Sequence, residues 1–335
     1  MFEKIFVENE YVNHPRVLVM QQKFSQALVV PIDKIENSFG RFKKPYLQKR
    51  SHLNLYIGRK KGLLVKPAPP AYGVIGDPHY YFVHAYNCIY ECQYCYLQGY
   101  FNSPDIVLFL NHDEIGNEIL ATIQKHPEQK TWFHAGEFSD SLALSHLTGE
   151  VDFYWSLLAD HPKAYLELRT KSVNIKPVLK QKPAANIFVT FSLSPARRAL
   201  QSDLKTPTTA ARLQAMKALV DAGFCVGVHL DPMIYDIDFV QNYQRLIEEW
   251  VRLIPPEKIS YISVGVVRFS KDVYRQVKNN YPDSDLLQQE FTSGFDQKIR
   301  YSYPLRSAML ETVKNQLLSA GFADQQIYFC MEEND

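Results

Sequence analysis

Three of the five cysteines, Cys88, Cys92 and Cys95, fall within eight residues as C-IYE-C-QY-C. Three thiolates on one loop can hold three corners of a cubane iron–sulfur cluster and leave the fourth iron open to a small molecule. A structural zinc site is the competing assignment. It needs a fourth ligand, which Cys225, Cys330 or His84 would have to bring from elsewhere in the chain. An odd, clustered set of cysteines argues against a disulfide framework.

The elements that must position this loop are legible as a rhythm starting near Tyr80. Short runs rich in aromatic and β-branched residues alternate with longer amphipathic stretches. The spacing predicts strands over Tyr81–Tyr86, Thr131–Ala135, Ala164–Arg169, Ile187–Phe191, Phe224–Leu230 and Tyr261–Val266. Helices are predicted over 112–126, 151–160, 173–180, 206–222 and 239–252, with a last one over 305–319. Alternation of this kind implies parallel strands joined by crossover helices, an α/β protein. Six strands fall short of eight, so the expectation is a partial (β/α)6 barrel of TIM type. Residues 1–76 read as an α/β cap with strands at Asn54–Gly58 and Gly62–Lys66 and a Pro-rich end, KPAPPAYG. Residues 77–266 form the core, and 267–335 carry a hairpin or lid and the terminal helix.

Catalytic groups in such barrels gather at the carboxyl ends of the strands. Here the first end carries the cysteines and the second His134-Ala135-Gly136-Glu137-Phe138-Ser139-Asp140. The third reads Arg169-Thr170-Lys171, the fourth Ser192-Leu193-Ser194, the fifth His229-Leu230-Asp231 and the sixth Arg268. Polar residues also mark ordinary strand ends; six polar ends on largely apolar strands point to a site.

The CxxxCxxC with an aromatic, Tyr94, before its last cysteine resembles the radical SAM superfamily. That resemblance implies a [4Fe-4S] cluster on Cys88, Cys92 and Cys95, with S-adenosylmethionine on the open iron and a 5′-deoxyadenosyl radical as the product of their reaction. Ala135-Gly136-Glu137 resembles the GGE motif of that superfamily, which implies that Glu137 accepts from the methionyl ammonium. Lys171 would pair with the methionyl carboxylate, and Ser192 with either end. More narrowly, CQYCYLQ, LYIGRKKGLLVKPAP, SDSLALSHLTG, LRTKS, FVTFSLSP and IRYSYPLR resemble, in order along the chain, spore photoproduct lyase and its relatives. The resemblance implies repair of a thymine photodimer in DNA, with Tyr94 and Tyr96 in a hydrogen-atom relay and Ser139 beside the cofactor. Arg268 and the 294–306 segment, with Lys298, Arg300, Tyr301 and Tyr303, would meet the lesion and duplex. One departure stands out: the family's hydrogen-donor cysteine aligns with Glu137, whose O–H bond is too strong to replace a thiol. The same chemistry on a non-DNA or other nucleic-acid substrate is therefore an alternative, and a non-catalytic metal-stabilised binding module a third.

Composition agrees with an enzyme. The hydrophobic fraction is 46% and the charged fraction 22%, which suits a cored globular chain and excludes a disordered or fibrous one. No apolar run is long enough to span a membrane, and the N-terminus does not read as a signal peptide, so the expected location is the cytoplasm. Net charge is only +1, from 37 basic and 36 acidic residues. From Asn37 to Gly76, however, there is no acid, while Arg41, Lys43, Lys44, Lys49, Arg50, Arg59, Lys60, Lys61 and Lys66 supply nine cations. This 41–66 segment is the expected contact for damaged duplex DNA. A one-electron reductant such as flavodoxin or ferredoxin is the expected second partner, and the chain is expected to act as a monomer.

Overall fold

A computed structural model describes residues 2–69, 76–294 and 297–332. Pro70–Gly73 of the Pro-rich stretch, the hairpin residues 295 and 296 and the side chain of Lys49 lie outside the described set. The expected strands assemble, with two edge strands, into one eight-stranded sheet whose spatial order repeats the chain order. These are β1 (Val65–Pro67), β2 (His79–Phe82), β3 (Thr131–Ala135), β4 (Ala164–Thr170), β5 (Ile187–Ser192), β6 (Cys225–Met233), β7 (Ile259–Val266) and β8 (Ile327–Phe329). From β2 to β8 every neighbouring pair is parallel; β1 runs antiparallel along the β2 edge.

Helices His112–Gln124, Glu150–Leu158, Lys176–Leu179, Thr209–Asp221 and Phe239–Leu253 link successive parallel strands, and Tyr303–Ser319 precedes β8. Their apolar residues share one core with the sheet. On β4, Leu166 and Leu168 enter that core, while Tyr165 packs with a separate aromatic group on the opposite face. By the two-residue period of a strand, Glu167 and Arg169 share that inner face with Tyr165.

The expected strand Tyr81–Tyr86 is divided between two sheets. His79–Phe82 is β2, whereas Ala85–Tyr86 pairs antiparallel with Ile106–Phe109. Phe82 belongs to the main core and Val83 to another, so an unbroken buried run conceals a change of partner. The second sheet orders Leu28–Ile32, Phe2–Glu8, Leu53–Gly58, Ile106–Phe109 and Ala85–Tyr86, the first four parallel. It is the expected N-terminal cap, yet two of its strands lie beyond residue 76, while β1 crosses the other way. β8 likewise carries the last segment back into the main sheet. The late hairpin is the antiparallel pair Phe291–Ser293 and Ile299–Tyr301, joined by Arg268–Phe269 into three strands.

A candidate cofactor site at the carboxyl ends of the strands

The cysteine loop follows β2 and is clamped from three directions. Glu91–Cys92 forms an antiparallel ladder with Asp203–Leu204, and the Gln93 amide donates to the Ser202 carbonyl at 2.8 Å. From the N-terminal side, the buried Arg50 guanidinium donates to the carbonyls of Cys88 (3.1 Å) and Tyr90, and lies 3.5 Å from Glu91. From the late segment, Ser284 donates to Gln93 at 2.7 Å and Asn280 to Gln98 at 2.8 Å; Gln98 donates in turn to the carbonyls of Gln93 and Cys95.

Burial pushes all three thiols up, Cys92 to about 12, where Asp203 adds to the rise while Lys171 and Arg212 oppose it. The Tyr90 amide donates to Cys88 Sγ at 3.4 Å, and the Leu97 backbone favours the Cys95 thiolate. Amide donors and nearby cations are what sulfur ligands need to carry charge. Among the described residues, no three His, Cys, Asp or Glu side chains converge on the position of a single metal ion. Cys225 opens β6 at its amino end and donates to the Ala184 carbonyl, while Cys330 lies 3.6 Å from Arg268. The zinc arrangement thus lacks its convergence. A cubane, whose three thiolates each bind a different iron, does not require it, and the donor set fits such a cluster.

Lys171 reaches the same loop. Its ammonium stands 5.4 Å from the centre of the Tyr94 ring, and it lowers the pKa of both Cys92 and Cys95. The Tyr94 hydroxyl donates to Asp203, which the fully buried Arg212 holds at 2.9 Å. Tyr94 is thereby a half-buried brace of the loop, its hydroxyl tied to a carboxylate.

The loop after β3 brings in the second motif. Gly136 has φ +84, and a Cβ there would stand 2.5 Å from Ser141 Oγ, so glycine alone fits without strain. Asp140 pins the loop. One carboxylate oxygen accepts from the Leu142 and Ala143 amides and from Thr170 Oγ1 (2.6 Å); the other accepts from the Lys171 amide at 2.7 Å. Tyr96, 39% exposed, donates its hydroxyl to the Glu137 carbonyl. Glu137 and Ser139 are half-buried at this edge, and Ala135 and Ser192 are buried at the ends of β3 and β5. Cys88, Cys92, Cys95, Tyr94, Tyr96, Gly136, Glu137 and Lys171 are thus gathered at one edge.

Sequence reasoning placed His134, Arg169 and His229 at strand ends but missed Glu167, which gathers them into an inner-face layer. Glu167, 1% exposed, accepts from His134, from His229 Nε2 (2.6 Å), from Tyr261 (2.8 Å) and Thr190 (3.1 Å), and from Arg169 at 3.3 Å. Burial alone would raise its pKa; the Arg169 guanidinium and two imidazoles outweigh that and hold it well below the usual range. An acidic residue inside an otherwise apolar strand was the available signal.

The expected substrate residues fare unevenly. Tyr301 is fully buried against Phe291 at 4.6 Å, and its hydroxyl accepts from the Tyr235 amide: it is a core residue, because the hairpin's pleat turns it inward. Arg300 is also buried, facing Arg268 across the ladder and 3.8 Å from Glu332. Arg268 is held by both oxygens of Asp231, at 3.1 and 3.2 Å. Lys298 is half-buried at the turn, and Tyr303 is exposed at the start of the last helix with Arg306 over its ring.

The 41–66 segment is not a uniform basic face. Acids distant in sequence meet it: Asp105 at Lys44, Glu91 at Arg50, Glu114 at Arg59 (2.8 Å) and Glu36 at Lys61 (3.3 Å). Lys60 is buried and donates to the Lys61 carbonyl.

Comparison with known proteins identifies a family. The sequence model of the family described as spore photoproduct lyase matches residues 3–327. The spore photoproduct lyase of Geobacillus sp. (strain Y412MC61) is 26% identical over 205 residues, 60% of each chain. That of Bacillus subtilis (strain 168) is 23% identical over 292 residues, 84% of this chain and 83% of its own. A solved structure of a doubly substituted spore photoproduct lyase with bound AdoMet and dinucleoside spore photoproduct superposes with a TM-score of 0.83 over 99% of both chains, at 19% identity. Another, complexed with the dinucleoside spore photoproduct, gives 0.84 over 98% of this chain and 99% of that one, at 20% identity. At such identities the structural likeness is one of fold.

Proposed function

The chain belongs to the spore photoproduct lyase family of radical SAM enzymes, and from that premise we propose that it repairs a thymine photodimer in DNA. The observation that carries this reading is the convergence of the three-cysteine loop, the Gly136–Glu137 turn and Lys171 at the carboxyl edge of β2–β5. We read β2–β7 as a partial (β/α)6 barrel whose mouth is this edge. A [4Fe-4S] cluster on Cys88, Cys92 and Cys95 with S-adenosylmethionine would supply a 5′-deoxyadenosyl radical there.

This chain's residues would do the rest. Gly136 admits a ligand close to the backbone, and the Glu137 carboxylate stands where an ammonium could be received. Lys171 offers a cation to a carboxylate, and Ser139 and Ser192 offer hydroxyls. Tyr96, exposed and anchored on the Glu137 carbonyl, would serve the hydrogen-atom relay, with Tyr94 as the brace of the cysteine loop. A duplex would have to extrude the dimer from its stack to reach this edge, with Arg268, Lys298 and Tyr303 flanking it. We further propose a cytoplasmic monomer reduced by a flavodoxin- or ferredoxin-type donor.

The experiment is anaerobic turnover of DNA containing the spore photoproduct, comparing wild type with Glu137→Cys. Reduced protein should release 5′-deoxyadenosine in wild type and more slowly in the variant, which lacks the ammonium-binding carboxylate, and the thiol variant should raise the yield of restored thymine per 5′-deoxyadenosine at least tenfold. Formation of 5′-deoxyadenosine with no loss of lesion in either protein would transfer the same chemistry to another substrate. Stoichiometric zinc without iron after anaerobic reconstitution would leave only the metal-stabilised module.

A further inference from the structure

A cleft of about 380 Å³ opens beside the helix Pro15–Lys23, lined by Arg16, Ser145, His146, Asn174, Lys176 and Lys180, with Asp152 and Pro177 completing the wall. Its charge is lopsided. Asp152 is its one acid among the lining residues and stands 3.9 Å from Arg16, a loose contact, while Lys176 and Lys180 make no ion pair among the described residues. Lys23 adds a further cation, its ammonium 2.7 Å from His146 Nε2.

The cationic wall is held in place by specific contacts. Gly149 has φ +73, and a Cβ there would lie 2.0 Å from the Arg16 guanidinium, so Arg16 rests directly on a turn that only glycine leaves open. Asn174 donates to the Leu142 carbonyl (2.8 Å) and stands 3.0 Å from His146 Nδ1, which fixes the imidazole against the wall. These contacts also tie the cleft to the candidate site. Leu142, whose carbonyl Asn174 holds, gives its amide to Asp140, and Asp140 in turn holds the Lys171 amide. Asn174 follows Lys171 by three residues, so their Cα atoms are at most roughly 11 Å apart.

We propose that this cleft binds a phosphate group. Its cations and its size suit a phosphate oxyanion. Resting on the DNA-repair reading above, the ligand is a backbone phosphodiester next to the extruded lesion. The cleft then provides sequence-independent positioning while the adjoining loops hold the cofactor.

The test is binding of an undamaged duplex to the reconstituted protein across a salt series, with Lys176→Ala/Lys180→Ala beside wild type and Lys176→Arg/Lys180→Arg as the charge-keeping control. The alanine variant should lower the slope of log affinity against log salt by about one, since a phosphate contact contributes about 0.9. The arginine variant should keep the slope, and release of 5′-deoxyadenosine should be unchanged in both. An unchanged slope in the alanine variant would overturn the cleft assignment and leave the DNA reading standing. Absence of salt-dependent duplex binding by wild type would overturn the DNA reading itself. The His146 imidazole, followed by NMR, separates the two phosphate sources: a shift with duplex but not with millimolar inorganic phosphate supports the backbone. An equal shift with inorganic phosphate alone would overturn the phosphodiester assignment in favour of a free phosphate.

Discussion

Arg50 lies in the acid-free run of the sequence, yet it faces inward and holds the backbone of the cysteine loop. Its fork meets two carbonyls and the buried Glu91. Removing one member of a buried ion pair typically costs about 3–5 kcal/mol because the other charge is left unpaired. Arg50→Ala should therefore lower iron content after anaerobic reconstitution and reduce stability, while Arg50→Lys, which keeps charge but not the planar fork, should fall between. Duplex affinity should keep its salt slope in Arg50→Ala; a slope lowered by about one would return Arg50 to the phosphate-binding role that its sequence neighbourhood implies. Tyr94 carries a comparable lesson. Its bond to Asp203 makes Tyr94→Phe a test of bracing, expected to slow cluster assembly more than to alter hydrogen transfer, read as iron content against product per 5′-deoxyadenosine.

At the scale of elements, two junctions carry the remaining predictions. The β3 loop turns at Gly136 with φ +84, and alanine there meets both strain and Ser141, at a cost of order 1–3 kcal/mol. Gly136→Ala should reduce S-adenosylmethionine cleavage while iron content persists; unchanged cleavage would remove the turn from the site. The second junction is where the link after β2 and the helices His112–Gln124 and Glu150–Leu158 meet. His84, His112, Thr148 and Glu150 each bury a polar atom without a hydrogen-bond partner there. Burial pushes Glu150 up to about 8 and His84 and His112 down to about 3 and about 4. The folded protein thus keeps Glu150 protonated between about pH 4.5 and 8, where the unfolded chain has released that proton, so this stabilisation is lost as pH rises through 8. The histidines act oppositely: their contribution is present above about pH 6.5 and is lost as pH falls towards 4 and 3. Wild type and Glu150→Gln should diverge in urea stability by about 1.4 kcal/mol per pH unit between about pH 5 and 8, the variant not losing stability along that rise. Parallel curves would show that Glu150 ionises normally.

For the whole molecule, the question is where a chain of net charge +1 keeps a surface for a polyanion. Arg41, Lys44, Arg50, Arg59, Lys60 and Lys61 of the 41–66 segment meet acids or backbone carbonyls, while Arg16, Lys23, Lys176 and Lys180 gather around one cleft from remote parts of the chain. Lys60→Ala/Lys61→Ala should accordingly change the duplex salt slope by well under half, against about one for the cleft pair. The reverse ranking would restore the linear segment as the contact. No described helix is long and apolar enough to cross a membrane.

Much of this protein is written locally. The cysteine spacing, the alternation of strands and helices and the Gly136–Glu137 turn are short-range patterns, because a metal-binding loop and a pleated strand are each specified within a few residues. Thr131–Ala135 and the neighbouring parallel strands accordingly form as expected, in the expected order. Three features depended on the tertiary structure. The run through Phe82 and Val83 changes sheets, since an apolar sequence does not say which core will bury it. Tyr301 and Arg300 turn into the protein rather than towards a substrate, since the pleat and the packing beneath it set their direction. Charge was decided last: Coulomb energy depends on distance in space, so Glu36, Asp105 and Glu114 neutralise cations far from them in sequence, and a basic cleft assembles from residues that no run of sequence joins.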